Sequence, residues 1–119
     1  MNPSPLSAED YHKLSDRAMD NILESLEEAI DAGVGRNAEE GWESGVLTLS
    51  CGPHGTYVLN KQPPNQQIWL SSPLSGPKRY DYSLGVWFYT RDGSTLKQLM
   101  EAELAELAGE SVGVWVERR

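Results

Sequence analysis

The sequence has a single cysteine, Cys51, only two histidines, His12 and His54, and one phenylalanine in 119 residues. A lone thiol excludes an intramolecular disulfide, and one cysteine with two histidines cannot supply the nitrogen and sulfur ligands of a tetrahedral zinc site. Long apolar runs are missing too. Nothing approaches the roughly 20 residues needed to cross a bilayer, so no membrane-spanning helix is expected. Positive charge is scarce, with 10 Lys and Arg against 18 Asp and Glu, a formal net charge of −8. Such a chain offers no uniform basic footprint for a phosphate backbone, which places nucleic acid and anionic membrane low among its partners and favours a cation or a basic protein. The opening residues, Met1-Asn-Pro-Ser-Pro5, have neither the apolar core of a secretory signal nor the Arg-rich, acid-poor pattern of an organelle transit peptide. Either the protein works where it is made, or a targeting segment lies outside this sequence.

The negative charge has a place. Residues 1–45 hold 11 acids and three bases, whereas residues 46–119 hold seven of each. The length fits one domain and one core, so residues 1–119 are expected to form a single unit, with 1–6 flexible and 110–119 a C-terminal tail.

Two changes of period organise the chain. From Tyr11, the positions Leu14, Ala18, Ile22, Leu26 and Ala29, widened by Met19, Leu23 and Ile30, follow the 3.6-residue repeat of an amphipathic helix. Ser7 suits its N-cap, Glu9 and Asp10 suit the positive end of its dipole, and Gly33 and Gly35 stop it. A loop carrying Glu39, Glu40 and Glu43 follows. Short β-like runs then occupy 46–50, 56–60, 66–71, 79–83 and 86–90, separated by Gly, Pro and Asn turn chemistry. Such short spacings favour hairpins. The helical period returns at Thr95, an N-cap with Gln98 three residues on, and Leu96, Leu99, Met100, Leu104 and Leu107 line one face up to Gly109. The expected class is α+β: a two-layer sandwich with two helices on one face of an antiparallel sheet and the other face wet.

Two features call for an explanation. Asp20, Glu24, Glu27 and Asp31 lie close to one line along the first helix, with Asp16 and Glu28 beside it. Like charges at this spacing repel by roughly 0.2–0.5 kcal/mol per pair, so the line is either a solvated face kept for solubility or a site for cations. Carboxylates without His or Cys are hard oxygen ligands, and an open helix face offers weak, multiple sites rather than a tight cage. The second feature is Trp69. In the run Gln66-Gln-Ile-Trp-Leu-Ser71, alternation sends Ile68 and Leu70 to the core and Gln67, Trp69 and Ser71 to the wet face. An outward tryptophan is a common interface anchor; the alternative is that the tail or a loop covers it. Asn60, Lys61, Lys78 and Arg79 are expected to add a partly basic rim to that face.

Catalytic constellations are poor. Neither histidine has the carboxylate and serine neighbours of a hydrolytic triad, Cys51 lacks a basic neighbour to activate it, and Gly52-Pro-His-Gly55 lacks the ending of a phosphate loop.

The run Tyr57-Val-Leu-Asn-Lys-Gln-Pro-Pro-Asn-Gln-Gln-Ile-Trp-Leu-Ser-Ser72, continued by Pro73 and Ser75-Gly-Pro-Lys-Arg-Tyr-Asp81, resembles the signature of the frataxin family. The acidic first helix, Ser44-Gly-Val-Leu-Thr48, Asp92-Gly93 and the 95–107 helix follow in the family's order, so the resemblance spans roughly residues 8 to 108. It is closer to the mitochondrial eukaryotic branch than to the bacterial one. The resemblance implies a monomeric protein of the mitochondrial matrix that activates iron-sulfur cluster assembly. Such a protein docks on the complex of cysteine desulfurase and scaffold protein, promotes persulfide sulfur transfer, and binds iron weakly as Fe²⁺ or Fe³⁺. It assigns iron to Asp16, Asp20, Glu24, Glu27, Glu28, Asp31 and Glu39, with Glu40 and Glu43 following them in sequence. Arg17 stands where relatives often have an acid. It assigns partner docking to Asn60, Lys61, Gln62, Gln67, Trp69, Ser71, Pro77 and Arg79. A rival role known in the family is ferroxidation or iron storage at the ridge. The segment after the second helix packs between the helices in some members, which would give Val112, Val114, Trp115 and Val116 a structural task.

Overall fold

The computed structural model describes residues 2–31, 39–43 and 45–108. Helix α1 spans Ala8–Asp31, six strands follow as β1 (Glu39–Glu43), β2 (Val46–Ser50), β3 (Thr56–Gln62), β4 (Gln67–Ser72), β5 (Gly76–Ser83) and β6 (Val86–Tyr89), and helix α2 closes the described chain at Leu96–Ala108. All neighbouring strands pair antiparallel in the order β1-β2-β3-β4-β5-β6, a six-stranded meander.

Both helices begin where their caps dictate. The Ser7 hydroxyl accepts the Asp10 N–H at 3.0 Å. At α2 the exchange is reciprocal: Thr95 Oγ1 accepts the Gln98 N–H at 3.1 Å, and Gln98 Oε1 accepts the Thr95 N–H at 2.9 Å, so two otherwise orphaned donors are satisfied. Tyr11, Ala18, Met19, Ile22 and Leu26 of α1, with Leu96, Met100 and Leu104 of α2, pack with one face of the sheet, represented by Leu47, Leu49, Tyr57, Leu59, Ile68, Leu70, Tyr80 and Trp87. Ser15 and Ser25 sit on the buried side of α1, and their hydroxyls donate to the carbonyls of Tyr11 (2.7 Å) and Asn21 (2.8 Å), which removes the penalty of burying them. The expected two-layer α+β sandwich is the observed fold.

The strand boundaries differ from the sequence pattern in two places. The acidic loop at Glu39, Glu40 and Glu43 is a strand, β1, paired to β2 from Glu39↔Ser50 to Glu43↔Val46. Its backbone needs only one neighbour, and charge on an edge strand discourages pairing with another chain, so a polar sequence does not preclude a strand there. β5 begins at Gly76, upstream of the expected 79, and contains Pro77. Proline is tolerated because β6 pairs only from Tyr80 onward, which leaves Pro77 at an open edge where no amide donor is required.

Within the stretch expected to be flexible, residues 1–6, the Ser4 N–H donates to the Tyr82 carbonyl at 2.8 Å, and the Leu6 carbonyl accepts from Gln66 Nε2 at 2.8 Å. The helix-ending Gly33, Gly35 and Gly109 and the tail residues Val112, Val114, Trp115 and Val116 lie outside the described residues.

Candidate functional site: an ordered polar sheet face and an acidic helix

The outer face of the sheet is organised by register. Opposite Trp69 on β4 stand Asn60 on β3 and Arg79 on β5, forming a row across three strands. One alternation step to either side, Gln67 lies opposite Gln62, and Ser71 lies between Val58 and Pro77. Trp69 is half-buried, not fully open as expected, because its neighbours cover and orient it. The Arg79 guanidinium lies 4.8 Å from the indole centroid, a cation–π contact. The indole N–H donates to Gln67 Oε1 at 2.8 Å, and Gln67 Nε2 donates onward to Asp81 Oδ1 at 3.2 Å. This chain fixes which side of the ring faces out.

Seven of the eight expected docking residues, Asn60, Gln62, Gln67, Trp69, Ser71, Pro77 and Arg79, occupy this grid. Lys61 does not. It pairs with Ile68, whose side chain is in the core, so alternation turns it toward the helices. Its Nζ lies 2.6 Å from Asp16 Oδ1 and 2.8 Å from His12 Nδ1 on α1. Lys78, paired with core residue Leu70, is likewise off the outer face, and its Nζ donates to the Ser75 carbonyl at 3.2 Å. Asp81 is the grid residue that the sequence pattern missed. Its signal was available: it is two residues from Arg79 on the same strand and therefore on the same face.

On α1, Asp20, Glu24, Glu27 and Glu28 are exposed, as the helical period requires. Asp16 is half exposed and ion-paired to Lys61, which separates it from the other ridge carboxylates. The side chains of Asp31, Glu39, Glu40 and Glu43 lie outside the description; Glu39–Glu43 are placed by their backbone on the edge strand β1, against which α1 packs. Among the described residues, no group of three or more His, Cys, Asp or Glu converges as a metal cage. Carboxylates strung along an open helix bind cations through water and few direct bonds.

A third polar cluster joins the layers. Glu103 of α2 accepts from Tyr57 Oη (2.8 Å) and Ser72 Oγ (2.5 Å) at Oε1, and from Ser75 Oγ (2.6 Å) at Oε2. Burial opposes its ionisation, but the three donors and the charge of Lys78 prevail and hold the carboxyl below its ordinary value. The Tyr57 hydroxyl is pushed strongly up by burial and by its bond to that carboxylate. Cys51 is half-buried and burial raises its thiol, which leaves it a poor nucleophile.

Comparison with known proteins identifies the family. Residues 4–110 match the family model described as "Frataxin-like domain". The chain is 42% identical over 111 residues to the mitochondrial frataxin of Arabidopsis thaliana, covering 92% of this chain and 59% of that protein. It is 42% identical over 106 residues to the mitochondrial frataxin homolog of Saccharomyces cerevisiae, covering 89% of this chain and 61% of that protein. The chain thus spans about three-fifths of the length of these relatives. Among solved structures, a yeast frataxin superposes with a TM-score of 0.75 at 42% identity, covering 87% of this chain and 85% of that one. Trimeric yeast frataxin complexed with ferrous iron gives 0.71 at 38% identity, with 92% of each chain covered. No described helix is long and apolar enough to cross a membrane. The family-model match over residues 4–110, the relatives at 42% identity and the superposition on yeast frataxin show that the chain belongs to the frataxin family.

Proposed function

We propose that this protein is a non-catalytic activator of iron-sulfur cluster assembly in the mitochondrial matrix. Its outer sheet face docks on a complex of cysteine desulfurase and scaffold protein and promotes persulfide sulfur transfer, while the α1 ridge binds iron weakly as cargo. The observation that carries this reading is the Trp69 row. A tryptophan held half-open by Arg79 and Gln67 at the centre of a polar grid presents a preordered apolar anchor with hydrogen-bonding groups around it, the make-up of an interface hot spot. Mitochondrial relatives support the compartment. The ferrous complex of the yeast trimer supports iron as cargo.

The test is reconstituted cluster assembly on the scaffold, driven by the desulfurase. Trp69→Ala is expected to abolish stimulation while keeping the native melting transition; full stimulation by a folded Trp69→Ala protein would reject the docking surface. The rival reading, ferroxidation or storage at the ridge, predicts that a variant with Asp20, Glu24, Glu27 and Asp31 made neutral loses Fe²⁺ oxidation. The open spacing of the described carboxylates favours loose carriage over an oxidation centre. Oxidation persisting at the wild-type rate in that variant would remove the ridge as its site.

A further inference from the structure

Lys61 is placed as no surface lysine needs to be. Its side chain is only 11% exposed, although its partner Asp16 is 52% exposed. The stem crosses Gly45, where an added Cβ would meet Lys61 Cβ and Cδ at 3.9 Å, and the Lys61 amide donates to the Gly45 carbonyl at 3.0 Å. The ammonium ends between Asp16 Oδ1 at 2.6 Å and His12 Nδ1 at 2.8 Å, with its nitrogen 5.8 Å from the Tyr11 ring centroid. Since an ammonium only donates, the Nδ1 lone pair is occupied. A carboxylate oxygen, an imidazole nitrogen and an aromatic face thus converge on one tethered cation.

His12 and Asp16 are four residues apart on one helix face, the spacing at which two side chains reach a common ion. An imidazole–carboxylate pair differs from the rest of the ridge in kind. Nitrogen ligands favour Zn²⁺, Ni²⁺ and Cu²⁺ over Fe²⁺ in the general affinity order of divalent metals, whereas oxygen-only sites discriminate less and bind hard ions.

We propose that Lys61 is a selectivity gate: its ammonium occupies the nitrogen-containing end of the acidic helix, keeps competing divalent metals off His12 and Asp16, and leaves Asp20, Glu24 and Glu27 as the cargo-binding stretch. The inference rests on the ridge carrying iron. Its physical core, a metal site uncovered by removing one ammonium, is tested apart from iron.

The probe is Zn²⁺, titrated into the full chain while the ring resonances of His12 and His54 are followed by NMR. His54 lies exposed in a turn and reports what a lone imidazole does. In the wild type and in Lys61→Arg, which keeps the positive charge, the His12 ring is expected to move no more than that of His54. In Lys61→Met, of similar reach but uncharged, His12 is expected to shift at Zn²⁺ concentrations that leave His54 unmoved, and adding Asp16→Asn is expected to remove that shift. The gate is overturned if wild-type His12 shifts at the same Zn²⁺ as Lys61→Met, if a folded Lys61→Met shows no selective His12 shift, or if Asp16→Asn changes nothing. If Lys61→Met fails to fold, a wild-type His12 ring that shifts at Zn²⁺ concentrations leaving His54 unmoved still overturns the gate. Failure of the iron reading is seen separately, as Asp20, Glu24 and Glu27 amides that do not respond to Fe²⁺.

Discussion

Trp69 and Arg79 stand directly opposite one another on β4 and β5, and the guanidinium rests 4.8 Å from the indole centroid. The contact joins the apolar anchor and a cation of the proposed docking face into one unit, so losing either should be felt by a partner more than by the fold. A cation–π pair at a solvent-facing site contributes about 0.5–1 kcal/mol to stability, whereas hot-spot truncation removes about 2 kcal/mol or more of binding energy. Arg79→Ala is therefore expected to lower the melting temperature only slightly and to weaken binding to the desulfurase–scaffold complex by roughly tenfold or more. Thermal melts and binding isotherms, run in parallel, measure the two effects; a large loss of stability with intact binding would contradict the assignment.

Two buried tyrosines separate the effect of a hydrogen bond from that of burial. Tyr57 donates to Glu103 at 2.8 Å, whereas the buried hydroxyl of Tyr80 has no partner among the described residues. Removing a made bond to a charged acceptor costs about 1.5–3 kcal/mol, while removing an unsatisfied buried hydroxyl relieves a desolvation penalty. Tyr57→Phe is expected to destabilise the domain by about 1.5–3 kcal/mol, and Tyr80→Phe to be neutral or stabilising. Urea denaturation of both variants gives the comparison.

The sequence and the structure part company at particular residues. The two helices were legible because Leu14, Ala18 and Ile22, and later Leu96 and Met100, repeat at helical spacing between identifiable caps. Trp69 was legible because strand alternation fixed its direction relative to Ile68 and Leu70. The same rule applied to Lys61 would have sent it to the opposite face from Asn60. Neighbourhood in sequence had instead grouped the two, although adjacent strand residues face opposite ways. β1 was hidden because Glu39, Glu40 and Glu43 look like loop composition, and its partner is the backbone of β2. Glu103 resembles any solvent-facing helical glutamate, since its partners Tyr57, Ser72 and Ser75 are 46, 31 and 28 residues away. No local pattern encodes contacts over such separations.

Glu103 gives the domain a specific acid sensitivity. Its carboxyl is held below the ordinary value in the folded state by Ser72, Ser75, Tyr57 and Lys78, against the opposing effect of burial. A depressed folded value means that the stabilisation is fully present above the unfolded value of about 4.3 and is lost as pH falls through the lower folded value. Glu103→Gln, which keeps the shape but removes the charge, is expected to be less stable than the wild type at neutral pH. The group is partly buried and still screened by solvent, so a difference of about 1 kcal/mol is appropriate for its charged hydrogen bonds. The gap should close as pH drops below about 4. Denaturation midpoints for both proteins across pH 3 to 7 check the sign; a gap that widened toward low pH would contradict it.

The β5–β6 hairpin retains an unfavourable residue. Leu84 and Gly85 both have positive φ, 50° and 89°, as a two-residue type I′ turn requires, and Asn-Gly is the preferred pair there. A leucine in the left-handed region costs about 1–2 kcal/mol relative to its right-handed conformation, and Leu84 recovers little by burial because it is 87% exposed. Leu84→Asn keeps Gly85 in place and supplies a side chain that tolerates this conformation. It is expected to stabilise the domain by about 0.5–1 kcal/mol, read as a higher denaturant midpoint at an unchanged slope. Leu84→Val, β-branched and still worse at positive φ, should lower the midpoint. The ordering Asn above Leu above Val is what backbone conformation demands; if exposed apolar area alone governed the position, Val would exceed Leu, because the smaller side chain presents less surface to water.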